Sequence, residues 1–166
     1  MKKSEISLRK PNASDIERMF EMLEKSLSQY LIINRNSSMN NQLVIDKGFV
    51  DDYVNNGKYL CLIAEIDSEI VGWLAGSQNK KVLFEHGCSL EEFYIEEIVV
   101  DPKFRRNGIG SLMLAEIPIS NVKSIVVDTP LVNKQAIAFY EKSGFLMNFG
   151  LPNEFSRTWI RMRKPV

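Results

Sequence analysis

The run FYIEEIVV (93–100), closed by Asp101-Pro102, constrains the fold more than any other segment. Its mostly apolar character predicts a buried strand, and Pro102 prevents that strand from continuing. Directly behind it comes KFRRNGIGSLML (103–114), with two arginines, a Gly-x-Gly and a run of good helix formers. A strand that ends in a tight turn and opens a helix leaves unpaired backbone N–H groups at the helix start. Those donors, with the positive end of the helix dipole, favour a phosphate. Gly108 and Gly110 allow close backbone approach, Arg105 and Arg106 add charged donors at the rim, and Ser111 offers a hydroxyl. A plain basic turn eased by glycine would use the same residues. Two common nucleotide motifs do not fit. The dinucleotide fingerprint needs a third glycine where Met113 stands, and the Gly-Lys-Ser/Thr of a P-loop is absent.

The rest of the chain supplies alternating elements. EISLR (5–9) reads as a first strand. A helix follows, capped by Asn12 or Ser14, with Ile16, Met19, Phe20, Leu23 and Leu27 at helical spacing. The polar segment 34–42 reads as a loop, and 43–54 as a weaker helix despite Gly48. KYLCLIAEI (58–66) and IVGWLAGSQ (70–78), joined by a short turn, form a hairpin. Residues 79–91 read as polar and irregular. A helix from about Asn107 is stopped near Ile117 by Pro118, KSIVVDT (123–129) is a strand, and 133–144 is a helix ended by Gly144. Two strands, the last over 158–163, are expected in the tail, which completes one α/β domain over residues 1–166.

Composition narrows the function by exclusion. Lys plus Arg and Asp plus Glu each number 21, so the formal net charge is zero. No global field draws the chain to nucleic acid or an anionic membrane, and an anion site must be local. No apolar run approaches the ~20 residues of a membrane span, and the lysines at the N-terminus lack an apolar h-region behind them. Cys61 and Cys88 lack CxxC spacing and form no disulfide framework, so a reducing, cytoplasmic setting is expected. His86 is the single histidine; it reads as a surface residue, and no metal site is expected. A Cys88–His86 nucleophile lacks a third orienting group. Cys61 reads as a buried hydrophobe, Trp73 and Trp159 as core or pocket wall, and the RMRK tail as a solvated strand end.

A second segment, NKQAIAFYEKSGF (133–145), again leads from a strand's end into a helix. Together the two segments resemble the GCN5-related N-acetyltransferase (GNAT) superfamily. Val100, Pro102, Arg105, Gly108 and Gly110 match its first motif. Asn133, Ala136, Phe139, Tyr140, Glu141, Lys142, Gly144 and Phe145 match its second. The resemblance implies a single-domain α/β fold. Its mixed, mainly antiparallel central sheet has six to seven strands, flanked by about four helices, with a splayed parallel strand pair at the cofactor site. It implies acetyl-CoA as acyl donor and no metal. The pyrophosphate would lie on the amides of Arg105, Arg106, Asn107, Gly108, Ile109, Gly110 and Ser111, and the pantetheine along Ile98, Val99 and Val100. Asn133 would hold the cofactor's arm, with Tyr140 near the sulfur. The helix after Gly110 departs from the family by being short, since IPIS (117–120) interrupts it.

The implied reaction is direct acetyl transfer to a primary amine of a small molecule or a peptide. The enzyme would be a monomer or homodimer, with neither nucleic acid nor membrane as partner. A non-catalytic acyl-CoA-binding domain is the alternative, and Tyr140 argues for the enzyme. A phenol, with a pKa near ~10, can protonate a departing thiolate. For proton removal from the amine, Glu96 and Glu97 point to opposite faces of their strand, and Glu96 is placed ahead of Asp128. In the family, the acceptor pocket comes from loops here at 30–42 and 147–157, which are neither strongly acidic nor basic.

Overall fold

The structure, a computed structural model, describes residues 5–34, 46–148 and 159–166. Its strands are β1 (Ile6–Arg9), β2 (Leu60–Ile66), β3 (Glu69–Ser77), β4 (Glu92–Val100), β5 (Ser124–Pro130), β6 (Leu146–Asn148) and β7 (Trp159–Pro165). They form one seven-stranded sheet in the order β1-β2-β3-β4-β5-β7-β6. β4 and β5 are parallel, whereas the pairs β1–β2, β2–β3, β5–β7 and β6–β7 are antiparallel. The helices are α1 (Ile16–Asn34), α2 (Lys47–Asn55), α3 (Lys80–Glu85), α4 (Ile109–Ala115) and α5 (Lys134–Lys142). This is the mixed α/β sheet that the sequence implies. The helix not foreseen is α3, which occupies part of the segment read as irregular. The segment 35–45 and the segment 149–158, which carry most of both expected acceptor loops, lie outside the described residues.

The chain divides into two compact units, Met1–Gly76 with Glu97–Ile117 and Ser77–Glu96 with Pro118–Val166. In the first, α1 buries Ile16, Met19, Met22 and Leu23, an i, i+3, i+4 stripe. They join Val50 and Tyr53 of α2 and Cys61, Ile63, Ile70, Trp73, Ala75 and Val99 of the strands in one core. The fully buried Trp73 satisfies its indole N–H on the Met19 carbonyl at 3.1 Å. Burial pushes the Cys61 thiol up to about 12, as expected of an inert core cysteine. Asn12 and Asp15 form a capping box ahead of α1. Arg9 of β1 joins Asp15 at 2.8 Å to Glu65 of β2 at 2.7 Å.

In the second unit, Leu83 and Cys88 pack on Tyr94 and Val126. Both α3 and α5 end in the same way. The amide of Cys88 donates to Leu83 O and that of Gly87 to Phe84 O. The amides of Phe145 and Gly144 likewise donate to Tyr140 O and Glu141 O. These are Schellman motifs, with glycine in the left-handed region at φ +66° and +89°. The apolar contact that accompanies such a motif is Leu83–Cys88 in one and Tyr140–Phe145 in the other, the latter with ring centroids 5.2 Å apart.

In the first unit, α4 approaches β3 closely at Gly72. A Cβ there would lie 3.1 Å from both the Val99 carbonyl oxygen and Ile109 Cγ2, and 3.3 Å from Met113 Cε. A backbone oxygen cannot swing aside as a side-chain tip can. Gly72→Ala is therefore expected to destabilise the protein by about 1–3 kcal/mol, read as a lower midpoint in urea unfolding with an unchanged slope.

Candidate active site

The period-two pattern of the second unit's strands places a polar face within the sheet. Glu92, Tyr94 and Glu96 share one parity on β4. The registers Glu92↔Ser124 and Tyr94↔Val126 align them with β5, and Val126↔Arg163 and Asp128↔Arg161 carry the pattern to β7. Glu92 accepts from the Ser89 amide at 2.7 Å and the Ser124 hydroxyl at 3.2 Å, and pairs with Arg163 at 2.7 Å.

Arg161 is buried and points its fork at its cross-strand partner. Its Nε donates to Asp128 Oδ1 at 2.8 Å and its Nη2 to Oδ2 at 2.7 Å. The same Nη2 donates to the His86 carbonyl at 2.7 Å. The Asp128 hydrogen bonds hold the guanidinium's pKa above its ordinary value against the opposing effect of burial. Tyr94 donates its hydroxyl to Asp128 Oδ2 at 3.2 Å. Burial, then the charges of Asp128 and Glu96, raise this phenol far above its usual range, so it remains a neutral donor. Asp128 thus accepts three hydrogen bonds. The RMRK stretch is correspondingly not a solvated end at its first residue, since Arg161 is 6% exposed.

His86, read from the sequence as a surface residue, lies inside this group. Its ring stacks on Tyr94 with centroids 3.9 Å apart and planes 11° from parallel. Its Nε2 lies 3.2 Å from Glu96 Oε1. Glu96 thus has a histidine as partner and, among the described residues, no lysine or arginine. Cys88, two residues on, is buried, and desolvation pushes its thiol up to about 11, which disfavours a standing thiolate. Its sulfur faces the His86 carbonyl at 3.9 Å, not the imidazole.

In the same unit Asn133 caps α5. Its Oδ1 accepts from the Ala136 amide at 3.0 Å, and its Nδ2 donates to Thr129 Oγ1 at 3.5 Å. Tyr140 is buried, with its ring against Phe139 and Phe145.

The first unit holds the glycine-rich turn. Arg106 and Gly108 both have positive φ, +66° and +81°, and Gly108 is the N-cap of α4. No side chain caps this helix. By contrast, Asp46, Asn79 and Asn133 cap α2, α3 and α5 with side-chain oxygens. The first amides of α4 therefore keep their donors for another acceptor, and no atom lies within 4 Å of where a Gly108 Cβ would stand. Arg105 directs its Nε to the Val100 carbonyl at 3.0 Å. Arg106 and Ser111 are exposed, and Asn107 donates to Phe104 O. The Asp101 amide donates to Val71 O, and the Val99 carbonyl faces Gly72 of β3. By alternation, the amide and carbonyl of Ile98 and Val100 face the opposite edge of β4, away from β3.

Among the described residues no group of three or more His, Cys, Asp or Glu could hold a metal, and no helix is long and apolar enough to cross a membrane. Sequence reading missed Tyr94, Arg161 and His86. The period-two polar positions within two apolar strands were the available signal for the first two. For His86 it was the Asn79 cap and Gly87, which delimit α3.

Comparison with known proteins identifies the family and the fold. The family model described as the acetyltransferase (GNAT) family matches residues 18–145. The chain is 31% identical over 99 residues to N-alpha-acetyltransferase 30 of Homo sapiens, a match covering 57% of this chain and 26% of that protein. It thus spans about a quarter of that relative's length. The Escherichia coli ribosomal-protein-S18-alanine N-acetyltransferase superposes with a TM-score of 0.65 at 16% identity, covering 98% of this chain and 94% of the other. The PaiA N-acetyltransferase of Thermoplasma acidophilum, solved in complex with coenzyme A, superposes with a TM-score of 0.69 at 15% identity over 98% and 99% of the two chains. The chain belongs to the acetyltransferase (GNAT) family.

Proposed function

We propose that residues 1–166 act as a single acetyl-CoA-dependent N-acetyltransferase domain that transfers the acetyl group directly to a primary amine. The observation that carries this reading is the start of α4: an uncapped helix terminus behind two left-handed residues, with open space at Gly108. Such a terminus suits a diphosphate, and it lies in the motif that the family uses for coenzyme A. The name of the N-alpha-acetyltransferase relative favours a peptide or protein α-amine as acceptor, with small amines second.

Acetyl-CoA supplies an acetyl group activated as a thioester. The amides of Ile109, Gly110 and Ser111 would hold its diphosphate, with Arg105, Arg106, Asn107 and Gly108 shaping the turn. The outward backbone groups of Ile98 and the amide of Val100, whose carbonyl accepts from Arg105, would take the pantetheine arm like an added strand. Val99, whose carbonyl faces β3, contributes by keeping the strand in register. Asn133 fixes the start of α5 and so the helix that carries Tyr140. Tyr140 donates its phenolic proton to the departing sulfur. Proton removal from the amine is served by the Glu96 end of the polar face. Asp128, committed to Arg161 and Tyr94, holds that face together.

Three outcomes test this. Titration calorimetry is expected to find binding of acetyl-CoA but not of ATP or NAD, and Gly108→Val is expected to weaken it about tenfold, because a β-branched residue is strained at positive φ. Affinity for ATP or NAD equal to that for acetyl-CoA would overturn the cofactor assignment. Tyr140→Phe is expected to lower turnover about 10²-fold while leaving acetyl-CoA affinity unchanged; thiol release at the wild-type rate would remove its acid role. Asp128→Ala is expected to destabilise the fold by about 3–5 kcal/mol, since it strands a buried guanidinium. If it instead unfolds at the wild-type urea midpoint but loses all turnover, Asp128 has a chemical role rather than a scaffolding one.

A further inference from the structure

We propose that His86 takes the proton from the acceptor amine through its Nδ1, and that Glu96 is the carboxylate that orients it. This deepens the acetyltransferase reading and rests on it.

Burial orders the two groups. The Glu96 side chain is 12% exposed and that of His86 is 32% exposed, so the carboxylate lies behind the imidazole. Among the described residues His86 is the only hydrogen-bond partner of Glu96. A carboxylate at Nε2 selects the tautomer with the proton on Nε2, which leaves the Nδ1 lone pair as acceptor. No described side chain or backbone group occupies Nδ1. This arrangement, a buried carboxylate behind a more exposed imidazole, makes the imidazole the base and the carboxylate its support.

The ring is held in place before any substrate arrives. It stacks on Tyr94 at 3.9 Å, its Nε2 meets Glu96, and its own carbonyl is gripped by Arg161 Nη2 at 2.7 Å. The Schellman motif at Gly87 fixes the backbone on which it stands. A base held this firmly needs little reorganisation when the proton moves. The surrounding charges leave one role open. Asp128 is paired with Arg161 and Glu92 with Arg163, while Tyr94 and Cys88 are neutral. Among the described residues, Glu96 is the remaining anion at the ring, and it balances the imidazolium once that forms.

The step balances simply. An N–H bond of the acceptor's ammonium breaks, its electron pair stays on nitrogen, and the proton passes to Nδ1. The neutral amine is then a nucleophile, and the imidazolium returns its proton to water from its exposed edge. Imidazoles exchange protons near neutral pH, where an ordinary carboxylate is a poor acceptor.

The test compares His86→Gln, His86→Gly and Glu96→Gln by thiol release from acetyl-CoA with a panel of peptide α-amines and small amines. Acetyl-CoA binding and thermal unfolding are measured on each protein. His86→Gln is expected to lower kcat about 10²-fold at unchanged acetyl-CoA affinity. Added imidazole is expected to restore turnover to His86→Gly. Glu96→Gln, whose amide oxygen can still accept from Nε2–H, is expected to lose less than His86→Gln. Because His86 is the chain's single histidine, imidazole 15N shifts report its tautomer directly, with Nε2–H expected in the protein without substrate. Full turnover by His86→Gln, a greater loss in Glu96→Gln, no rescue by imidazole, or an Nδ1–H tautomer would each overturn the role of His86 while leaving the enzyme an acetyltransferase. A wild-type protein that acetylates none of the amines would overturn the acetyltransferase reading and this role together.

Discussion

A buried guanidinium has to be answered by acceptors, and in the second unit Arg161 is answered by a carboxylate and a backbone carbonyl from two other segments. Its cross-strand partner Asp128 accepts two of its hydrogen bonds, and the His86 carbonyl accepts another. Tyr94 then donates to the same carboxylate and lends its ring to the imidazole. A buried ion pair of this kind is weak evidence for stability, because an apolar pair of similar volume often does as well. Its value here is directional. The fork fixes where the turn after α3 meets the sheet, and a hydrophobic substitute would give up that instruction.

β4 divides its work along its length. Its first half, Glu92 to Glu96, presents side chains, and each of Glu92, Tyr94 and Glu96 has a defined partner. Its second half, Glu97 to Val100, presents backbone: the Val99 carbonyl faces β3, and the groups of Ile98 and Val100 face away from it. The side-chain partners and the outward main-chain groups of this strand therefore involve different residues.

What the sequence disclosed was what is local. The strands declared themselves through apolar runs, Pro102 and Pro118 marked real boundaries, and Gly108 and Gly144 stand at the positive-φ positions that their place next to helices suggests. The two family motifs fixed the fold and the glycine-rich turn. What remained hidden is non-local. Arg161 finds Asp128 from 33 residues away, and no spacing rule links them. Helix α3 spans only Lys80–Glu85, too short for its apolar residues to show a period. With α3 unread, His86 had no framework to hold it and appeared to be one polar residue among several. Nor does any spacing rule join Glu96 to its partner, the imidazole of His86 ten residues before it.

The segment from Asn79 to Glu92 is closed at both ends by short-range bonds. The Asn79 amide donates to Ser77 Oγ, Asn79 caps the helix, Gly87 and Cys88 terminate it, and the Ser89 amide donates to Glu92. Lys80, Lys81, Phe84 and Glu85 are exposed, so their identities are open to drift. Its length is not. One residue inserted within α3 would turn everything beyond it by about 100°, carrying the imidazole off the Tyr94 ring. Descendants of this chain are thus free to vary the spelling of this passage while its length stays fixed.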